Sequence, residues 1–224
     1  MEANHRVKSE LFDEFAKVGK ALASGRRIEI VDVLANGERT VEALAEQLDI
    51  SLANTSQHLQ ILREAGLVSS RKRGTFVVYR LASRSVYSFW ASLRSLATER
   101  LAAVERLFDA YIGSQDGLEA LSREELLNRL HSGEPPIVLD VRPNEEYQAG
   151  HVPGAVSIPL PELERRLKEL PADRQVVAYC RGPYCAFASE AVRLLRHRGV
   201  DAIRLEDGLP EWSAAGFPVE GARD

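Results

Sequence analysis

Both cysteines of this 224-residue chain fall in one six-residue segment, Cys180-Arg181-Gly182-Pro183-Tyr184-Cys185. The run before it, Val176-Val177-Ala178-Tyr179, reads as a buried strand, and the run after it, with Ala188, Val192 and Leu195 in register, reads as a helix. A thiol between a strand end and a helix start lies near the positive end of the helix dipole and several unpaired backbone N–H groups. Such a setting lowers a cysteine pKa and favours a thiolate or a bound anion. The chemistry expected is nucleophilic. A thiolate here is open to attack on an electrophile or to oxidation, and the second thiol five residues on could close a disulfide or a sulfur-bridged link with it if the loop brings the two Cα atoms within about 7 Å. Arg181 and the loop of Gly182, Pro183 and Tyr184 would hold the charge that is transferred.

Length and composition bound the frame around that loop. A chain of this size accommodates two domains of ordinary length. Its 45% hydrophobic and 28% charged content is that of a soluble globular protein. No apolar run is long enough to span a membrane, and MEANHRVKSELFDEF carries no apolar signal region, so a cytoplasmic location is expected. Two cysteines are no disulfide framework, and in a reducing compartment they read as catalytic or redox-sensing. The net charge of -4 is unevenly spread. Residues 1–111 hold 16 Lys+Arg against 14 Asp+Glu, and residues 112–224 hold 13 against 19. Nucleic acid is to be sought on the first half.

Within that half, 8–22 and 26–35 have apolar residues at three- and four-residue spacing and predict two amphipathic helices. Thr40 caps a short helix with Leu44 and Leu48 inward. Ser51 caps the next, which is expected to bury Leu52, Thr55, Leu59 and Leu62 and to stop at Gly66. Its other face is Asn54, Ser56, Gln57, Gln60 and Arg63, a pattern suited to major-groove base edges. Two alternating strands follow around Arg71-Lys72-Arg73-Gly74, a hairpin whose cations suit phosphates. Helix, turn, polar helix and basic hairpin make a mainly α winged helix-turn-helix. Residues 84–111 then predict one long helix with an apolar stripe through Val86, Phe89, Trp90, Leu93, Leu96, Leu101, Val104, Leu107 and Phe108. A stripe wider than its small domain needs marks an interface.

The segment from Ser51 to Leu81 resembles the ArsR/SmtB class of bacterial repressors through Ser51, Ser56, His58, Leu59, Leu62, Ala65, Gly66, Leu67, Val68, Arg73, Gly74 and Tyr79. The resemblance implies a homodimer built through helix 84–111, binding a double-stranded operator and relieved of repression by a signal. Many members of that family sense metals. Residues 1–111 hold no cysteine and only His5 and His58, so no metal site and no cofactor is expected, and His58 reads as semi-buried and structural.

Residues 112–118 are polar and glycine-containing, the expected linker between a first domain at 1–111 and a second at 119–224. Beyond it strands at 118–121, 137–140, 156–158, 176–179 and 202–205 alternate with helices at 123–131, 161–169 and 186–198. That order predicts a parallel α/β sheet with helices on both faces and a ligand at the carboxyl ends of its strands. The Cys180 loop, Asp140-Val141-Arg142, Glu146-Tyr147, Gly150-His151-Val152-Pro153-Gly154-Ala155 and Asp207-Gly208-Leu209-Pro210-Glu211-Trp212 resemble the rhodanese sulfurtransferases. In that family the first loop cysteine, here Cys180, takes sulfane sulfur as a persulfide. A basic residue often ends the loop where this chain has Cys185. Asp140, Arg142, Glu146 and His151 are assigned structural hydrogen bonds.

Three functions are expected from these parts. The first is a transcriptional regulator, a repressor by its family resemblance, whose rhodanese-like domain senses a small sulfur donor or an oxidant through Cys180 with Cys185. The alternative is a thiosulfate or persulfide sulfurtransferase with an accessory DNA-binding domain, which leaves enzymatic turnover open. In the third, the rhodanese-like half only docks a sulfur-carrying partner. No membrane partner is expected.

Overall fold

The computed structural model describes residues 2–112, 120–171 and 173–221. The chain forms two compact units, Met1–Arg94 and Ser95–Asp224.

In the first unit, α1 (Glu2–Leu22) and α2 (Gly25–Ala35) follow the expected helices, α1 beginning six residues earlier than its apolar spacing indicates. A two-residue strand β1 (Arg39–Thr40) leads into α3 (Val41–Gln47), where Thr40 Oγ1 accepts the Ala43 N–H at 3.2 Å. The next helix, α4 (Leu52–Glu64), is capped by Ser51, whose Oγ accepts the Asn54 N–H at 3.3 Å. The hairpin of β2 (Val68–Arg73) and β3 (Phe76–Leu81) turns at Gly74, and β1 adds antiparallel to β3. Gly74 sits at φ +63, a left-handed conformation that glycine adopts without strain. Ile30, Leu34, Leu44, Leu59, Leu62 and Val68 form the core.

Two expectations fail here. Leu52 shares the stripe of Thr55, Leu59 and Leu62 by spacing but is 51% exposed among the described residues, at the first turn of α4. The single helix expected at 84–111 is two, α5 (Arg84–Arg100) and α6 (Ala102–Ile112), interrupted at Leu101. The Leu101 N–H still reaches Ala97 O, four residues back, at 2.9 Å. The Val104 N–H instead takes Leu101 O, three back, at 2.8 Å, and this tightened step breaks the regular ladder without a glycine or proline. Of the expected linker, Ile112 is the last residue of α6, and 113–118 lie outside the described residues.

The second unit is built on five parallel strands, β4 (Ala120–Leu121), β5 (Ile137–Asp140), β6 (Val156–Ser157), β7 (Val176–Tyr179) and β8 (Ala202–Leu205), in the order β4-β8-β7-β5-β6. Residues 118 and 119 of the first expected strand lie outside the described residues. The helices are α7 (Arg123–Leu130), α8 (Asn144–Ala149), α9 (Leu163–Arg166) between two 3-10 turns, α10 (Phe187–His197) and α11 (Leu209–Ala214). The two-residue period of a strand decides which side chain meets which layer. Val176, Ala178 and Cys180 face Leu163, Ala188, Val192 and Leu195 of α9 and α10. Val177 and Tyr179 face the opposite layer, with Leu126 of α7 and Trp212 of α11. The chain leaves β5 toward β6 and leaves β7 toward β8, in opposite directions across the sheet. The crevice at the carboxyl ends of β5 and β7 is therefore a topological switch point, where ligands of open α/β sheets bind.

Candidate functional site

The Cys180 loop occupies that switch point. β7 is fully buried and delivers Cys180 at its carboxyl end, 2% exposed, while Cys185 sits half-buried before Ala186, the N-cap of α10. Between them the chain folds back on itself, with the Cys185 N–H donating to Gly182 O at 3.1 Å. Gly182 lies at φ +149, outside the range ordinary side chains favour. The Cys180 thiol donates to the Cys185 carbonyl oxygen at 3.3 Å and lies 3.9 Å from the Gly182 carbonyl oxygen. No disulfide joins the two cysteines.

The surroundings of the two thiols push them apart in acidity. Burial pushes the Cys180 thiol well up, aided by the neighbouring Cys185 and opposed by the backbone N–H groups of Ala188 and Gly182. Cys185 is pulled down to about 7. The hydrogen bond from Cys180 is the largest cause, followed in effect by the backbone N–H groups of Arg181 and Phe187 and the charge of Arg181, against an opposing desolvation. The lowered thiol pKa expected at this loop falls on Cys185, while that of Cys180 is raised. Backbone N–H groups act on both thiols, and at Cys180, sealed in the core under α10, burial outweighs them.

Arg181 does not project into open space above the loop. Its Nε donates to Glu146 Oε1 at 2.9 Å and its Nη2 lies 2.8 Å from the same oxygen, while the guanidinium packs 5.2 Å from the Phe187 ring. Glu146, on α8 and 1% exposed, also stands 4.0 Å from Arg142 Nη1. Arg142 is fully buried and donates through Nε and Nη2 to Asp140 at 3.0 and 2.6 Å, and to Gly150 O at 2.8 Å. The Tyr179 hydroxyl completes the set, donating to Asp140 and accepting the Val152 N–H at 3.1 Å. Asp140, Arg142 and Glu146 are structural by these contacts. They form a chain of charge that starts at β5 and ends on the loop cation.

The far side of the loop rests on the segment after β8. A Cβ on Gly208 would stand 2.6 Å from Cys180 O and nearer still to Gly182 N and Arg181 C. Glu211 closes that side, its Oε2 accepting the Gly208 N–H at 3.0 Å. The sequence motif contains Gly208 and Glu211 but gives no sign of this contact with the loop. Tyr184 points elsewhere. Within the second unit its hydroxyl lies 2.8 Å from Thr98 Oγ1 on α5, and its ring meets Phe108 of α6 edge-on at 5.2 Å. His151 stacks on Tyr147 with ring centroids 3.7 Å apart and takes no part in the loop.

In the first unit, Asn54, Ser56, Gln57, Gln60 and Arg63 are all exposed on α4, joined by the exposed Leu52, an apolar group of the kind that meets thymine methyls. Arg71, Lys72 and Arg73 are exposed on the hairpin, with Arg71 paired to Glu38 at 2.7 Å and Arg73 3.6 Å from the same carboxylate. His58 is half-buried, its Nδ1 without a hydrogen-bond partner among the described residues, and burial beside Arg27 and Arg26 lowers its pKa. Phe89 of α5 also stands exposed there, and Leu96 of α5 and Leu107 of α6 stand exposed in the second unit. In the first unit the same holds on α1 at Val7, Leu11, Phe12 and Phe15, which the sequence expectation for the interface did not include. No group of His, Cys, Asp and Glu suited to a metal occurs among the described residues, and no described helix is long and apolar enough to cross a membrane.

A winged helix-turn-helix followed by a parallel α/β domain with a cysteine loop at its switch point defines a helix-turn-helix regulator joined to a rhodanese-like domain. Comparison with known proteins agrees at both ends. Residues 24–70 match the bacterial regulatory protein, arsR family, and residues 122–215 match the rhodanese-like domain. The HTH-type transcriptional regulator Rv0324 of Mycobacterium tuberculosis is 50% identical over 216 residues, 96% of this chain and 94% of the relative. A sulfurtransferase of Allochromatium vinosum is 31% identical over 100 residues, 44% of this chain and 92% of that protein. A solved homodimeric winged helix-turn-helix DNA-binding domain, Mb0332 of Mycobacterium bovis, is 45% identical with a TM-score of 0.41, covering 43% of this chain and 89% of that one. The chain belongs to the ArsR family of transcriptional regulators and carries a C-terminal rhodanese-like domain.

Proposed function

We propose that this regulator binds a double-stranded operator as a homodimer and changes its affinity when the Cys180–Cys185 pair reacts with a sulfane-sulfur donor or an oxidant. The observation that carries the reading is the pair itself, two free thiols on one loop with the Cys180 thiol donating to the Cys185 carbonyl oxygen at 3.3 Å, one lowered to about 7 and one raised. Such a pair is poised to pass from dithiol to disulfide. Asn54, Ser56, Gln57, Gln60 and Arg63 would read base edges, and Arg71, Lys72 and Arg73 would neutralise phosphates, Arg71 and Arg73 exchanging Glu38 for the DNA backbone. The exposed apolar residues of the first unit, Val7, Leu11, Phe12 and Phe15 of α1 and Phe89 of α5, would contribute to a dimer surface.

The test is fluorescence anisotropy of the reduced protein on DNA from upstream of its own gene, with and without a low-molecular-weight persulfide. The donor is expected to shift the wild-type Kd about tenfold, which is ~1.4 kcal/mol of coupling. Cys180→Ser, which cannot form the disulfide, should show no shift. Tight binding that ignores the donor in both proteins would overturn the reading.

Tyr184 supports a route for the signal, since it neighbours Cys185 and touches α5 and α6 through Thr98 and Phe108. Tyr184→Ala is expected to leave sulfur uptake intact and to cut the donor-induced shift in Kd severalfold. An unchanged shift would exclude this route. A second reading, sulfur transfer as an enzyme, is favoured by the likeness to the Allochromatium sulfurtransferase. It predicts multiple-turnover sulfide or thiocyanate release with no change in DNA affinity.

A further inference from the structure

We propose that the carboxylates packed around the cysteine loop set the donor class of Cys180: a persulfide, attacked in its neutral RS–SH form, and not an oxyanion such as thiosulfate. Glu146 is the residue assigned to make that choice. The inference rests on the sensing function proposed above and names the donor within it.

Charge at the loop carries the argument. Arg181 is the only Lys or Arg between Cys180 and Cys185, and an oxyanion donor would need its cation. That cation is already engaged. Its Nε lies 2.9 and 3.2 Å from the two carboxylate oxygens of Glu146, and its Nη2 lies 2.8 Å from Oε1. Glu146 is 1% exposed, and a pair anchored on a buried carboxylate is screened far less than one at the surface.

The opposite wall is acidic too. The Glu211 carboxylate accepts the Gly208 N–H and closes on Gly182, with Oε1 3.3 Å from where a Cβ there would stand. Beside it Asp207 is balanced by Arg123 at 2.7 Å. Arg204 lies in register with Ala178, two residues before Cys180, and Glu206 acts on its charge. Glu146, Glu206, Asp207 and Glu211 are thus set against Arg123, Arg181 and Arg204, which leaves no guanidinium in excess.

The two donor classes load this site differently. Thiosulfate is a dianion, so attack by the Cys180 thiolate gathers three negative charges at a residue only 2% exposed. Burying charge without a counter-ion is costly, and like charges in contact repel strongly away from water. In that reaction a Cys180 Sγ–S bond forms, the S–S bond of thiosulfate breaks, and sulfite leaves with the electron pair. A persulfide in its RS–SH form brings no charge to the reacting sulfur. The thiolate attacks the outer sulfur, the new Sγ–S bond forms, the RS–S bond breaks, and RS⁻ leaves with the electron pair. The proton stays on the transferred sulfur, so a single negative charge passes through the site.

The test follows loss of the Cys180 thiol in full-length reduced protein by intact mass and peptide mapping. The donors are thiosulfate and the persulfide of N-acetylcysteamine, an uncharged thiol. Wild type is expected to react about a hundredfold faster with the persulfide. Glu146→Gln keeps an oxygen for Arg181 but removes the charge, and should raise the thiosulfate rate about tenfold relative to the persulfide rate. Glu211→Gln should move the ratio severalfold the same way. Added potassium chloride should speed the thiosulfate reaction of wild type, and do so less in Glu146→Gln. A Glu146 that only holds the loop in shape would move both rates together and leave the salt response alone.

Equal rates for the two donors on wild type, a ratio unmoved in both variants, or a wild-type thiosulfate rate that does not rise with salt would overturn the donor assignment and leave the sensing reading in place. Neither donor modifying Cys180 would overturn the assignment outright. Persulfide-loaded wild type that bound operator DNA with unchanged Kd would instead overturn the sensing reading and leave the donor assignment standing.

Discussion

Asp140→Asn is expected to cost the second unit about 3–5 kcal/mol, the loss typical when one partner of a buried ion pair is removed. Asp140 and Arg142 are both fully buried, and the carboxylate takes the Arg142 backbone N–H at 3.0 Å, its Nε and Nη2, and the Tyr179 hydroxyl. The amide of asparagine keeps the shape but removes the charge, so Arg142 is left ionised among apolar strands. Glu146 cannot replace Asp140. It stands 4.0 Å from Arg142 and is already bonded to Arg181.

In calorimetry of the whole chain, the transition of the rhodanese-like unit should fall by about 4–8 °C for each kcal/mol lost. The winged-helix transition should hold. The double variant Asp140→Leu/Arg142→Met should be less destabilised than the single one, because it leaves no unpaired charge behind. A single variant within about 1 kcal/mol of wild type would show that water reaches Arg142 in solution.

The same network shows where sequence reasoning succeeded and where it ran out. The strands at 137–140, 176–179 and 202–205 were legible to the residue, because strands covered on both faces read as short unbroken apolar runs. The helices α8 and α11 were not, since six residues make too few turns for a period to show, and α11 carries Pro210 in its first turn. β1 has two residues and exists only because β3 pairs with it. The break at Leu101 carries no glycine or proline to signal it.

For the site, residue types and spacing located Cys180, Arg181 and Cys185 and the polar face of α4. They could not give direction. Which thiol is the more acidic depends on how deeply each is buried and what surrounds it, and Arg181 turns to Glu146 across 35 positions of sequence. Orientation of this kind is fixed by tertiary contacts, and no local pattern encodes it.

Gly208→Ala is expected to disable the loop more completely than any change within it short of losing a cysteine. Its φ of -114 is open to any residue, so the demand for glycine is one of space. The added Cβ would meet Cys180 O at 2.6 Å, and Gly182 N and Arg181 C more closely, all of them backbone atoms. A flexible side chain could swing aside from such an intrusion, but here the loop itself or the start of α11 has to move. Glu211 resists the second option, because its carboxylate is bonded to the Gly208 N–H and lies against Gly182.

Overpacking of this kind costs roughly 1–3 kcal/mol, and the upper end is expected where only backbone can yield. The larger effect falls on chemistry. A shift of about 1 Å in Cys180 relative to Cys185 and the loop amides should slow conversion of the pair to a disulfide about hundredfold. Stopped-flow consumption of a persulfide by the reduced protein would measure it, with anisotropy confirming that reduced Gly208→Ala still binds operator DNA as wild type does. Gly133→Ala is the control. Nothing lies within 4 Å of a Cβ at Gly133, so its rate should match wild type. If Gly208→Ala also matched wild type, the backbone of the cysteine loop would not be held against the segment after β8, and the packing that places Cys180 beside Cys185 would have to come from α10 alone.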